Sequence, residues 1–334
     1  MHSSRYTELL HRFCNAKIAV VGDLMMDEYL WGRATRISPE SPVMVVEVDR
    51  ETRVPGGAAN VVNNLLALGA HVSVVGVVGT DEVGDALIAA LDEKGADTGG
   101  IVRDASRPTT RKTRVVAHNQ QVLRVDRERA HPISEETAAA LDHRLRHMST
   151  DISAILVSDY SKGVLTPAVA AAVGEEARRR GIITTANPKP ANVRLLQGSD
   201  VVSLNRGEAE SIKGMGTFSD FNSIWTSGEE LRRDLGIATL VVTLGPDGLV
   251  LFHASGAEHV PAHPVEVFDV AGAGDTVIST LTLALVSGAS LREAAVLANH
   301  AASCVVRKVG VATVSTQELI ADWVADPDPG ATEA

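Results

Sequence analysis

"PGGAANVVNNLLALGAHVSVVGVVG", residues 55–79, places a helix and a strand back to back. "AANVVNNLLALGA" (58–70) reads as a helix that Gly69 closes, and "HVSVVGVVG" (71–79) as a Val-rich strand of the kind buried on both faces of a parallel sheet. The alternation extends both ways. Upstream, "KIAVVGD" (17–23) is a short apolar strand ending at a glycine. Downstream, "EVGDALIAALDEKG" (82–95) is a helix, and the pattern resumes after residue 130 with helix "EETAAALDHRLRHM", strand "SAILVSD" and helix "PAVAAAVGEEARRRG". "IITTAN", "DVVSLN", "ATLVVTLG" (238–245) and "GLVLF" are further strands, and helices start near 275 and 291. Strands alternating with helices predict an α/β fold, a mostly parallel central sheet covered on both faces.

Two segments interrupt that rhythm. "SPVMVVEVDRETRV" (41–54) and "TTRKTRVVAHNQQVLRVD" (109–126) read as paired, exposed strands. They predict a small β lid, with strands at roughly 32–54 and 108–127, that either shuts over a substrate or forms a dimer interface. No repeat or linker divides the chain, so a single domain over 1–325 is expected, followed by a disordered tail at 326–334.

The bulk numbers exclude several classes. With 334 residues, 45% hydrophobic and 22% charged, the chain has ample core. A net charge of −11 argues against a nucleic-acid surface, and 3% aromatics leave few platforms for stacked bases. The two cysteines, Cys14 and Cys304, fit no zinc or redox spacing and suit a reducing cytosol. The first residues form an amphipathic helix (Tyr6, Leu9, Leu10, Phe13) without the apolar core of a signal peptide, and no run is long enough to span a bilayer. A cytoplasmic protein with no membrane or nucleic-acid partner is expected.

In open α/β sheets, ligands bind beyond the carboxyl ends of the strands. Polar clusters recur there: Asp23 and Asp27, "PGGAAN" (55–60), "SDYSKG" (158–163), "NPK" (187–189), "NRGE" (205–208) and "TLGPDG" (243–248). Asn205 and Glu208 are equally suited to capping a helix. Late in the chain, "FDVAGAGDTVIST" (268–280) sets Gly272, Ala273, Gly274 and Asp275 at the mouth of an apolar helix running through Leu285. Free amides and the helix dipole make that mouth an anion site, though such turns also simply start helices. There is no GxxxxGK[ST] and no GxGxxG after the first strand, so neither a P-loop nor a dinucleotide-binding fold is indicated.

These motifs resemble the ribokinase-like (PfkB-type) carbohydrate kinases over nearly the whole chain. "PGGAANVVNNLLALGAHVSVVGVVGTDEVG" and "DVAGAGDTVISTLTLAL" match the two signatures of that family. "VVGDLMMDEYLWGRATRISPESPVMVVEV", "TTRKTRVVAHNQQVLRVDRE", "SDYSKGVLT" and "VGVATVS" resemble its heptose-7-phosphate kinase subfamily. The resemblance implies a three-layer sandwich with a β lid, and an ATP- and Mg²⁺-dependent sugar kinase. Its reaction would phosphorylate the anomeric hydroxyl of D-glycero-β-D-manno-heptose 7-phosphate, for nucleotide-activated heptose and surface-glycan synthesis. A kinase of another sugar or sugar phosphate, or a silent sugar-phosphate sensor, are the alternatives. In some relatives a nucleotidyltransferase domain follows; with no HxGH motif, none is expected here.

By the same resemblance, Asp275 would take the proton of the attacking hydroxyl. The amides of Gly272, Ala273 and Gly274 would hold developing phosphoryl charge. Its place at a helix N-terminus predicts a depressed pKa for Asp275. Asp27, Gly56, Gly57 and Asn60 would bind the sugar, and Arg36, Lys112, Arg114, Arg124, Lys162 and Lys189 are candidates for its phosphate. Asn205 and Glu208 match an NxxE pattern that organises Mg²⁺ through water, and Thr243, Gly245 and Asn299 fall at nucleotide positions. The resemblance also implies a homodimer and leaves K⁺ activation open, with Asp269 near the site. Two departures, Asn187 for the family's usual Asp and Ala271 for its usual Thr, are expected to bear on which sugar is used.

Overall fold

A computed structural model of the chain describes residues 2–118, 120–212 and 221–325; the tail expected at 326–334 lies outside them. The strands are β1 (Lys17–Gly22), β2 (Leu24–Ile37), β3 (Met44–Gly57), β4 (His71–Val78), β5 (Asp97–Arg103), β6 (Thr110–Ala117) and β7 (Gln120–Arg127). They continue as β8 (Ala154–Ser158), β9 (Ile183–Asn187), β10 (Val201–Asn205), β11 (Thr239–Thr243), β12 (Leu249–His253) and β13 (Gly256–Val260). The helices are α1 (His2–Arg12), α2 (Ala58–Ala67), α3 (Glu82–Glu93), α4 (Glu135–Arg146), α5 (Pro167–Arg180), α6 (Arg206–Ser211), α7 (Phe221–Leu235), α8 (Ala273–Val286), α9 (Leu291–Val306) and α10 (Thr316–Ala325).

Nine strands form the central sheet in the order β13-β12-β11-β10-β9-β8-β1-β4-β5. The seven from β11 to β5 are parallel, and β12 and β13 run antiparallel at the edge. Side chains alternate across this sheet: Ile18 and Val20 of β1 enter one core with α1, α2, α3, α8, α9 and α10, while Ala19 and Val21 enter the other with α4, α5 and α7. Val20, Val62, Ile278 and Leu297 are fully buried, each contributing about 1.5–3 kcal/mol relative to exposure. Chain order reverses at β1, which has β8 on one side and β4 on the other, so a crevice opens beyond Gly22.

The second sheet differs from the sequence expectation. Its order is β3-β2-β6-β7, so the two expected segments never pair directly; β2 lies between them, antiparallel to β3 and parallel to β6. The sheet begins at Leu24 rather than near residue 32, which puts Asp27 inside a strand. The reason is local: the first five residues of β2 are buried beneath the start of the sheet, so its sequence does not alternate as an exposed strand does. Segment 109–126 resolves into two strands, β6 and β7.

Candidate active site

Asp275 occupies the first turn of α8 and begins a run of ten buried residues that ends at Ala284. Gly272 precedes it at φ 80°, a left-handed conformation glycine adopts freely, and a Cβ there would lie 2.9 Å from Asn60 Nδ2. Thr276 N closes the first turn on Gly272 O at 3.0 Å, and Ala273 N donates to Val270 O at 3.2 Å. Of the three amides the sequence reading counted, those of Gly272, Ala273 and Gly274, that of Ala273 is thus spent within the turn, and Asp275 N is a further amide of the same first turn. The Asp275 carboxylate is buried and held at both oxygens: Asn60 Nδ2 donates to Oδ2 at 2.7 Å and the Tyr160 hydroxyl to Oδ1 at 2.6 Å. Burial pushes its pKa up to about 6; the two hydrogen bonds and Lys189 pull it down, and Asp27 adds to the rise. The expected depression is thus overturned, because loss of water outweighs the helix terminus.

Tyr160 comes from the loop after β8, which two carboxylates fix in place. Asp23, directly after β1, accepts from the amides of Tyr160 (2.7 Å), Lys162 (3.0 Å) and Val164 (3.1 Å), and burial raises its pKa to about 6. Asp159 accepts from Ser161 N at 2.9 Å and from Lys189 N at 3.0 Å. Asp23 is therefore a loop staple.

The lid face directed at this site carries Asp27. Gly56 lies across from Met25, and a Cβ on it would come within 2.1 Å of Asp27 Oδ2; Gly57, at φ 57°, starts α2 and delivers Asn60 one turn on. Arg114 makes a close ion pair with Asp27 and lies over the Tyr29 ring at 5.3 Å. Tyr29 stacks on Trp31 at 5.6 Å, and both aromatics escaped the sequence reading. Lys112 pairs with Asp126 (3.0 Å) and Glu128 (3.2 Å), and Lys162 reaches Glu128 at 2.7 Å, so Glu128 ties the lid to the Tyr160 loop. Arg124 is exposed beside Asp126, and Arg36 is exposed toward the distal end of β2, away from the others. Lys189 is not with the lid cations: its Nζ bonds Glu208 Oε1 at 2.6 Å and lies 5.2 Å from the Tyr160 ring centre.

Two cavities meet at Gly274. A polar one of about 120 Å³ is lined by Tyr160, Asn187, Lys189, Asn205, Glu208 and Asp275 among others. Asn205 and Glu208 make a reciprocal helix cap at 2.8 and 3.0 Å, which fixes the carboxylate facing this space. Its amide and carboxylate oxygens form a hard donor set that fits Mg²⁺ held through water. The larger cavity, about 550 Å³ and mainly apolar, contains Thr243, Gly245 and Asn299 with Val265, Val277 and Val306, a size and lining suited to a purine nucleoside. Asn187 opens into the polar cavity, and Ala271 is exposed next to Gly272, which lines the same cavity. Asp269 accepts from Ala271 N at 2.9 Å and Gly310 N at 3.0 Å, tying two loops together. Elsewhere, His300, Cys304 and Asp322 approach within 4.8 Å, but Arg307 bonds both Cys304 Sγ and Asp322, which makes the group an α9–α10 tie.

Comparison with known proteins places these features. The profile of the pfkB family carbohydrate kinases matches residues 15–318. A protein described as bifunctional protein HldE from Citrifermentans bemidjiense is 46% identical over 323 residues, covering 96% of this chain and 66% of that protein. One of the same description from Geobacter metallireducens is 48% identical over 302 residues, covering 90% and 61%. The chain thus spans somewhat under two thirds of these relatives' length. Among solved structures, Arabidopsis thaliana ribokinase complexed with ribose and ATP aligns at TM-score 0.74 and 20% identity, covering 92% of this chain and 98% of that one. Escherichia coli phosphofructokinase-2 in complex with potassium aligns at TM-score 0.77 and 18% identity, covering 92% and 99%. The fold is ribokinase-like, and the chain belongs to the pfkB family of carbohydrate kinases.

Proposed function

We propose that this pfkB-family chain transfers the γ-phosphoryl group of ATP to the anomeric hydroxyl of D-glycero-β-D-manno-heptose 7-phosphate, giving the 1,7-bisphosphate for nucleotide-activated heptose and surface-glycan synthesis. The observation that carries the reading is the position of Asp275: a buried carboxylate lining the polar cavity, one residue from Gly274 where that cavity meets the apolar one, and within electrostatic reach of Asp27 on the lid. The heptose assignment draws on the subfamily phrases and on the similarity to the HldE proteins.

In this reading the sugar lies between Asp27, Asn60 and Gly56, with its existing phosphate toward Arg114, Lys112 and Lys162. The anomeric hydroxyl gives its proton to Asp275 as its oxygen bonds the γ-phosphorus, and the bond from that phosphorus to the bridging oxygen of ADP breaks. A pKa near 6 leaves Asp275 ionised at neutral pH yet more basic than an exposed carboxylate. The Gly274 and Asp275 amides and Lys189 stabilise the charge on the moving phosphoryl group. Asn205, Glu208 and Asn187 would hold Mg²⁺ and its waters, and Mg²⁺ when bound neutralises phosphate charge. Exposed Met44, Val48, Leu123 and Val125 on the lid support a homodimer through that sheet.

The test is turnover of ATP and Mg²⁺ with heptose 7-phosphate, hexose phosphates and free sugars, products located by phosphorus NMR, in K⁺ and in Na⁺ buffer. Selective formation of a 1,7-bisphosphate is expected. Turnover confined to another sugar would refute the heptose assignment, and ATP binding without turnover on any sugar would favour a sensor.

A further inference from the structure

Tyr160 touches the carboxylate of Asp275 and, although it stands in the quoted "SDYSKG" loop, no role follows for it from the sequence. Its hydroxyl donates to Asp275 Oδ1 at 2.6 Å, from a residue 115 positions away in the chain. The loop that carries it is unusually constrained. Asp23 takes the amides of Tyr160, Lys162 and Val164, while Asp159 takes that of Ser161, whose φ of 54° is left-handed for a non-glycine residue. Such a backbone costs on the order of 1–3 kcal/mol and persists only where its surroundings enforce it.

The geometry points to Tyr160 as a positioning residue that orients the reactive carboxylate of Asp275 toward the sugar hydroxyl; this rests on the kinase reading above. An ionised carboxylate accepts at about four lone-pair positions. Asn60 takes one on Oδ2 and Tyr160 one on Oδ1, which fixes the plane of the group and leaves the remaining lone pairs for the substrate. With Asn60 alone, the carboxylate could rotate about its Cβ–Cγ bond, and a misplacement of about 1 Å at a reacting atom costs roughly a hundredfold in rate. Tyr160 also stands between Asp275 and Lys189, whose Nζ lies over its ring while bonding Glu208, so one residue relates the proton acceptor to the polar cavity. The groups facing Asp275 are Asn60 from α2, Tyr160 from the β8 loop, Lys189 beyond β9 and Asp27 from β2.

Tyr160→Phe keeps the ring and removes only the donor. The first measurement needs no sugar: carboxyl-¹³C aspartate labelling, with the Asp275 signal assigned by its loss in Asp275→Asn, and titrated from pH 4 to 9. The midpoint, about 6 in the parent protein, is expected to rise by about 1 unit when a donor to the charged form is lost. The second is kinetic, on whichever sugar the parent protein phosphorylates. There kcat is expected to fall about tenfold, the acid limb of the pH profile to move up with the titration, and KM for ATP to stay within about twofold. An unchanged midpoint, or a loss of activity with a superimposable pH profile, would overturn the inference. A shifted midpoint with no heptose 7-phosphate turnover by the parent protein would uphold Tyr160 and sink the substrate assignment instead.

Discussion

Replacing Gly56 with alanine tests the sugar side of the site with a single methyl group. The backbone permits the change, since Gly56 is not among the left-handed glycines. The obstacle is Asp27: the new Cβ would lie 2.1 Å from its Oδ2 and 2.9 Å from its Cγ, with Met25 Cγ at 3.3 Å closing the other side. Ordinary contacts begin near ~3.5 Å, so the carboxylate must retreat by about 1 Å. It has little room to do so, because it is buried and ion-paired with Arg114. A displacement of that size is worth roughly a hundredfold in kcat/KM for the sugar, about 2.7 kcal/mol at the transition state. The assay is kcat/KM for the phosphosugar at saturating ATP, beside calorimetric ATP affinity and a thermal melt. Gly174→Ala is the control: nothing lies within 4 Å of its Cβ, and it sits inside α5, so activity should hold and stability should gain about 0.5–1 kcal/mol. A Gly56→Ala enzyme within threefold of the parent would refute the assignment of Asp27 to the sugar.

Three further substitutions separate roles. Asp275→Asn should lose on the order of 10³-fold in turnover while ATP affinity persists. Its folded pKa of about 6 exceeds the unfolded value, so the stability from its protonated form is present in acid and lost as pH rises to about 6; the ionised group then costs about 3 kcal/mol. Asp275→Asn should therefore melt higher than the parent at pH 7 and show no such gain at pH 4, and equal effects at both would refute the burial argument. Among the lid cations, Arg114→Ala should raise KM for the phosphosugar tenfold or more, as roughly expected for a charge-assisted contact. Arg124→Ala should change it less than about threefold, since an exposed ion pair contributes little; similar effects of the two would overturn that ranking.

The central sheet was legible because its strands are short Val-rich runs, buried on both faces and separated by helices with their own start and stop residues. The second sheet was legible only in its exposed strands. β2 hides its first residues beneath the main body, and β5 and β13 are glycine-containing edge strands without an apolar run. The same division runs through the site. Strand-end positions and the glycine turn before α8 singled out Asp275, Asn205, Glu208 and Thr243, because each stands at a turn or strand end that the local pattern marks. Lys189 read as a candidate for the sugar phosphate and its side chain bonds Glu208, and Tyr160 stood in a quoted loop with no stated role. The Lys189 contact follows from β9 and β10 lying side by side and the Tyr160 contact from α8 packing on β8, and no local pattern records either.

The burial of α8 also explains why the sequence misjudged the pKa of Asp275. A carboxylate in the first turn of an isolated helix is stabilised as the anion by about 0.3–1 kcal/mol. In the folded chain α8 is driven into the core by Val277, Ile278, Leu281 and Leu283, and Asp275 is carried in with it. The desolvation this imposes exceeds what the terminus, Asn60, Tyr160 and Lys189 return, so the group settles near 6. A proton acceptor is most useful when it is ionised at working pH yet as basic as that permits. An exposed carboxylate meets only the first condition, and an apolar pocket without donors would fail it. Burial supplies the basicity, and the two donors keep the anion populated and aimed. The stability forgone at Asp275 is thus a direct consequence of burying its carboxylate with α8, where the proposed mechanism needs a proton acceptor.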